Sequence, residues 1–133
     1  MVSREASVEE FSDFRGPLYE VKANLFKGLA HPVRIRVLEL LSAAPEVSVT
    51  ELLAATGLEP SHLSQHLSVL RRYQLVKGER RALQMFYSLA YPQVAELLSV
   101  ARLLLNDMLH TTRAQLESSE SNSPVSAAAD STW

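Results

Sequence analysis

The sequence predicts a mainly helical chain with one small β-hairpin, a winged helix-turn-helix that pairs with a second copy of itself through its first and last helices. Three observations predict it. In the run Ser61-His62-Leu63-Ser64-Gln65-His66-Leu67-Ser68-Val69-Leu70-Arg71-Arg72, Leu63, Leu67 and Leu70 lie at i, i+4 and i+7 and share one helical face. At roughly 100° per residue, Ser61, Gln65, Ser68 and Arg72 point the other way. Immediately before this run, Gly57 closes a shorter helical pattern, which makes two helices joined by a glycine-bearing turn. Immediately after it the period changes: Leu83, Met85, Tyr87 and Leu89 alternate with Gln84, Phe86 and Ser88, as in a strand. An ordinary amphipathic surface helix has the same leucine spacing, so the weight falls on these neighbours.

Taken in order, Met1 to Pro17 is polar with Phe11 and Phe14 scattered in it, and reads as a loose arm or a short extra helix ahead of the domain. Leu18, Val21, Leu25 and Leu29 form the stripe of a first helix, with Phe26 beside it. His31-Pro32 ends that helix and opens a second to about Ser42, because proline suits a first helical turn; Ile35, Leu38 and Leu41 face its core. Pro45 breaks the chain again. Ser48-Val49-Thr50-Glu51 has the spacing of a capping box, which starts a third helix carrying Leu52 and Leu53. Leu58-Glu59-Pro60 turns into the fourth helix. Leu75-Val76-Lys77 begins the hairpin, with Gly78 to Ala82 as its charged tip.

Pro92 begins a long last helix to roughly Glu117. Val94, Leu97, Leu98, Ala101, Leu104, Leu105 and Met108 repeat at helical spacing, and Val100, Leu103 and Leu109 widen the apolar surface. A helix this apolar needs cover on more than one side. Either it is the central helix of a monomer or a second copy covers it; the small size of the domain favours the copy, with Leu18, Val21 and Leu25 of the first helix as companions. Ser118 to Trp133, rich in serine and alanine, reads as a flexible tail. The domain expected is thus residues 18–117, between an arm of 1–17 and a tail of 118–133.

Composition sets the limits. A chain of 133 residues that is 47% hydrophobic holds one domain with a modest core. No apolar run is long enough for a bilayer, and Met1 to Glu10 has no signal-peptide pattern, so the expected location is the cytoplasm. The absence of cysteine excludes disulfides, thiolate metal sites and thiol chemistry. The formal net charge of −2 argues weakly against nucleic acid, but its distribution matters more. Arg71, Arg72, Lys77, Arg80 and Arg81 crowd one stretch with only Glu79 against them, while acids such as Glu5, Glu9, Glu10, Asp13 and Glu20 lie elsewhere.

These features predict a reader of double-stranded DNA. Serine and glutamine hydrogen-bond base edges in the major groove, and arginine and lysine hold phosphates. The residues expected to face bases are Ser61, His62, Ser64, Gln65 and Ser68; those expected on phosphates are Arg71, Arg72, Lys77, Arg80 and Arg81. A two-fold pair would offer two such helices to a palindromic operator.

The order of elements resembles the ArsR/SmtB family of bacterial winged-helix repressors. The matching residues are Leu25-Phe26-Lys27-Gly28-Leu29-Ala30-His31-Pro32-Val33-Arg34-Ile35-Arg36-Val37-Leu38, the Ser61-x-x-Ser64-x-His66-Leu67-x-x-Leu70-Arg71 run, and Leu75-Val76 leading to Phe86-Tyr87-Ser88-Leu89. The resemblance covers about residues 18 to 110. It implies a homodimeric repressor and places Ser61, Ser64 and Gln65 at DNA-contacting positions; the helical wheel reaches Ser61 and Gln65 independently and leaves Ser64 on the flank. The wing tip departs from the family in having no glycine at its apex. The family's metal sites are poorly matched as well: one needs cysteines, and the positions matching the other are Tyr91, Gln93, Leu104 and Asp107, of which only Asp107 is a ligand type.

Other chemistry is thinner. Asp107 and His110, at i and i+3, could join partners from a second copy around nickel, zinc or cobalt, though a surface ion pair or helix-end charge explains them more simply. His62 and His66, at i and i+4, lack the glutamate of the zinc-protease pattern, so a hydrolase is a remote reading. No nucleophile with its base and no glycine-rich phosphate loop is present, which points away from an enzyme. The remaining alternatives are an activator or a DNA-binding subunit controlled by a regulatory protein partner, and an interaction module that keeps the fold without operator affinity.

Overall fold

A computed structural model describes residues 15–122 of the chain. The chain divides between Glu96 and Leu97 into two units. The first contains helices α1 (Leu18–Leu29), α2 (Pro32–Ser42), α3 (Val49–Thr56) and α4 (Pro60–Arg72), and strands β1 (Val47–Ser48), β2 (Val76–Arg81) and β3 (Gln84–Leu89). The last helix, α5 (Gln93–Asn122), begins in the first unit and makes up the described part of the second.

Several helix boundaries have a local cause. Pro32 occupies the first turn of α2, where its missing N–H costs nothing, and His31 caps that helix by accepting a hydrogen bond from the Val33 N–H at Nδ1, 3.1 Å. Arg34 reaches back to the end of α1: its Nε donates to the Gly28 carbonyl at 2.7 Å and its Nη2 to the Lys27 carbonyl at 3.2 Å, which also accepts the Ala30 N–H. Ser48 caps α3, its Oγ accepting from the Glu51 N–H at 3.1 Å. The Glu51 carboxylate accepts a hydrogen bond from the Ser48 hydroxyl, Oγ to Oε1 3.1 Å, so the second contact of the pair runs between side chains and not to a backbone amide as the expected box has it. Gly57 ends α3 in the left-handed region, φ 69°, with its N–H on the Leu53 carbonyl.

The core of the first unit forms where these helices meet the sheet. Val37, Leu38, Leu41, Leu52, Leu63 and Leu70 are essentially inaccessible to water, and each such side chain contributes about 1.5–3 kcal/mol relative to an exposed one. Val37 takes the buried place expected of Ile35, which is only half-buried. Gly28 lets α1 approach the end of α4: a Cβ added there would lie 2.6 Å from Cγ of Tyr73.

The sheet has three antiparallel strands in the order β1-β3-β2. Its first strand, where Val47 pairs with Tyr87 and Ser48 with Phe86, was not expected, because two residues carry no readable period. The hairpin differs from expectation in its tip. Arg81 pairs with Gln84, so Gly78 to Arg81 lie within β2, and the turn is Ala82-Leu83 alone, with Ala82 at φ 55°. Gly78 is needed in mid-strand for space: opposite it stands Tyr87, and an added Cβ would come 2.9 Å from the ring. Leu83, expected in the strand alternation, sits at the apex and is 93% exposed.

Two further corrections concern α5. It continues through Asn122, so residues 118–122, expected in the tail, are helical; that stretch contains no glycine or proline, and the first breaker in the sequence is Pro124. The expected arm before residue 15 and the tail beyond residue 122 fall outside the described residues. Val94 is buried (6% exposed) within the first unit, so it is a core residue and not part of a surface offered to a partner. In the second unit Val100, Leu103, Leu104, Leu105, Met108 and Leu109 are exposed, Leu104 to 58%. Among the described residues no helix is long and apolar enough to cross a membrane.

Candidate nucleic-acid interface

Helix α4 is held from one side and open on the other. Leu63, Leu67 and Leu70 are buried, while Ser61, His62, Ser64, Gln65, Ser68, Arg71 and Arg72 are all exposed. The open face from Ser61 to Ser68 rises about 10 Å along the axis, and an α-helix about 10–12 Å across its side chains fits a B-DNA major groove about 12 Å wide. Ser64, on the flank of the wheel, is exposed with the rest because the buried stripe is narrow.

The end of α4 is built to start the wing. The Leu75 N–H bonds to the Leu70 carbonyl and the Gln74 N–H to the Arg71 carbonyl, both at 2.9 Å, with Gln74 in the left-handed region at φ 61°. This is a Schellman closure with glutamine where glycine is usual, and Leu70 and Leu75 provide its buried apolar pair. It fixes the path from α4 into β2. The Arg72 guanidinium lies 5.5 Å from the Tyr73 ring centroid, which limits where that charge can go.

The wing separates its cations. In a strand, successive side chains alternate faces, so Lys77 and Arg81 share one face and Arg80 lies on the other, opposite Met85. The patch expected from sequence is therefore split. Arg81, expected on a phosphate, has partners within the chain. Its Nη2 donates to the Glu46 carboxylate, its Nε is 3.8 Å from a Glu79 oxygen, and its guanidinium sits 4.0 Å from the Phe86 ring centroid. The hydrogen bond to Glu46 and the nearby carboxylates hold its pKa above the ordinary arginine value. Glu46 is 35 positions away in the chain, so only the fold reveals it.

His66 turns from the open face toward α2. Its ring centroid is 4.3 Å from that of His31, with the planes tilted by 48°. Burial, then the neighbouring His31, Arg34 and His62, lower its pKa from the ordinary 6.5. The sign follows directly. The fold favours the neutral ring, so as pH falls through 6.5 the unfolded chain takes up the proton first and the fold loses stability, until pH reaches the lowered folded value. Between pH 7.5 and 5.5 the urea midpoint of the protein should fall more than that of His66→Gln; equal falls would show that His66 is not the group responsible.

Among the described residues no group of three or more His, Cys, Asp or Glu side chains is placed to bind an ion, and the chain contains no cysteine. Asp107 and His110 belong to no such group, and His62 and His66 do not form one with His31. The expected site joined Asp107 and His110 to donors of a second copy, and each chain brings those two donor residues to it.

Comparison with known proteins agrees with this geometry. A family described as a helix-turn-helix domain matches residues 29–79, which run from the end of α1 into the wing. The HTH-type transcriptional regulator Rv0081 of Mycobacterium tuberculosis is 53% identical over 102 residues, 76% of this chain and 89% of that protein. Its crystal structure superposes with a TM-score of 0.68 at 52% identity, covering 74% of this chain and 98% of that one. The transcriptional repressor PagR of Bacillus anthracis is 33% identical over 75 residues, 56% of this chain and 75% of PagR. The antimony-specific transcriptional repressor AntR superposes with a TM-score of 0.63 at 26% identity, covering 73% of this chain and 87% of AntR. These relatives are transcriptional regulators and not enzymes.

Proposed function

The chain belongs to the ArsR/SmtB-type helix-turn-helix transcriptional regulators, and from that premise we propose that it is a homodimeric repressor that reads a palindromic operator with α4 and grips the flanking backbone with its wing. One observation carries this reading: a single helix buries Leu63, Leu67 and Leu70 and leaves a continuous open face of Ser61, Ser64, Gln65, Ser68, Arg71 and Arg72. Gln65 is the best base reader on it, since a side-chain amide can bond an adenine edge at two points. Arg71, Arg72, Lys77 and Arg80 are exposed and suited to phosphates. Pairing rests on α5, where a row of exposed leucines is more apolar surface than a lone helix presents to water without a partner.

Binding to the duplex upstream of its own gene, against a scrambled duplex, tests the proposal. The upstream duplex should bind at least about 10³-fold more tightly, with affinity falling steeply as salt rises. Salt-steep binding without preference would remove the operator reading, and no binding would favour an interaction module. Nickel, zinc or cobalt added to the same assay tests Asp107 and His110: an ion effect abolished by His110→Ala would establish a site shared between copies, for which each chain supplies two donors. The similarity to AntR, an antimony-specific repressor, motivates that arm without deciding it.

A further inference from the structure

We propose that Glu46 is a positioning residue for DNA binding: in the free chain its carboxylate takes the place on Arg81 that a DNA phosphate would take, and so withholds one wing cation from duplex of any sequence. The inference rests on the DNA-binding reading above and adds a residue outside the surface that reading uses.

The geometry that supports it is set by the sheet. Glu46 directly precedes β1, whose Val47 and Ser48 pair with Tyr87 and Phe86 of β3. Arg81 ends β2, paired with Gln84 of the same β3. The strand between them carries Phe86, whose ring lies against the Arg81 guanidinium at 4.0 Å. Backbone pairing thus brings the two charges together on either side of Phe86, and the Arg81 Nη2 to Glu46 Oε1 hydrogen bond forms across the sheet. Both side chains stay about half exposed, 47% and 43%, so the pair is not a packing requirement and contributes little to stability. Lys77 and Arg80, the other cations of the wing, have no carboxylate partner among the described residues.

A guanidinium–carboxylate contact and a guanidinium–phosphate contact are the same kind of charge-assisted hydrogen bond and use the same donors. A phosphate that displaced Glu46 would gain no net bond and would leave the Glu46 carboxylate beside the DNA backbone. Arg81 therefore releases fewer counterions than a free arginine would. Each phosphate neutralised steepens the dependence of log affinity on log salt by about 0.9.

The test is the salt dependence of binding to a random-sequence duplex by the full chain, in the wild type, Glu46→Gln, Arg81→Gln and the double variant. Glu46→Gln should steepen the slope by about 1 and tighten binding at low salt. In the Arg81→Gln background the same change should add almost nothing to the slope. An unchanged slope in Glu46→Gln overturns the inference. So does an equal gain in both backgrounds, which would make Glu46 a diffuse negative charge acting without Arg81. Thermal melts confirm that each variant is folded, and Glu46→Ala replaces Glu46→Gln if the amide variant melts early. A wild-type chain with no salt-steep binding would defeat the DNA-binding reading itself, a result distinct from a wild type that binds steeply while Glu46→Gln matches it.

Discussion

Leu104→Glu should convert the protein to a monomer and reduce operator affinity on the order of 10²–10⁴-fold, the range in which two linked binding sites exceed one. Leu104 is 58% exposed on α5, with Val100 and Met108 one turn before and after it on the same side. In a two-fold pair the substitution appears in both copies, so two carboxylates enter one apolar interface, where each charge is costly to bury without a partner. The fold of each chain should survive, because the buried residues of the first unit, Val94 of the first turn of α5 among them, are untouched. Sedimentation and circular dichroism separate the outcomes. A folded monomer with weak operator binding is the expected result. A variant that remains dimeric with full affinity would place the pairing surface elsewhere.

Gln65→Ala should cost about 1–3 kcal/mol of discrimination, roughly 5- to 150-fold between operator and random duplex, while affinity for random duplex stays close to that of the wild type. Gln65 is exposed and its neighbours Leu63 and Leu67 hold the helix from beneath, so the loss would come from base contacts and not from unfolding. The contrast with Arg80→Ala is diagnostic: losing a phosphate contact should weaken both duplexes alike and flatten the salt dependence by about 1. If Gln65→Ala kept full selectivity, α4 would enter the groove in another orientation.

The main elements could be read from the sequence because each is signalled locally. The leucine stripe of α4, Pro32 and Pro60 at helix starts, Ser48 at a cap and Gly57 at a helix end all act within a few residues of themselves. The open face of α4 followed from the same period. What was not legible depends on contacts between distant segments. Strand β1 exists because β3 pairs with it, and its two residues have no pattern of their own. Arg81 looked like a free cation because Glu46 lies 35 positions away, and the pairing of β3 with both flanking strands is what brings them together. His66 could be read only as one of two histidines a turn apart on α4; its contact with the His31 ring depends on how α2 and α4 pack. The wing tip was misread for a different reason. Gly78 suggests a turn by composition, yet it serves as space for Tyr87, and the turn falls to Ala82 at a positive φ that alanine seldom adopts.

Dimethyl sulfate footprinting of the protein on its upstream duplex tests the central claim most directly, because guanine N7 faces the major groove that α4 should occupy. Two protected patches about 34 Å apart, one helical turn centre to centre or a multiple of it, are the expected result. Tight, selective binding that left every guanine N7 open to methylation would contradict it.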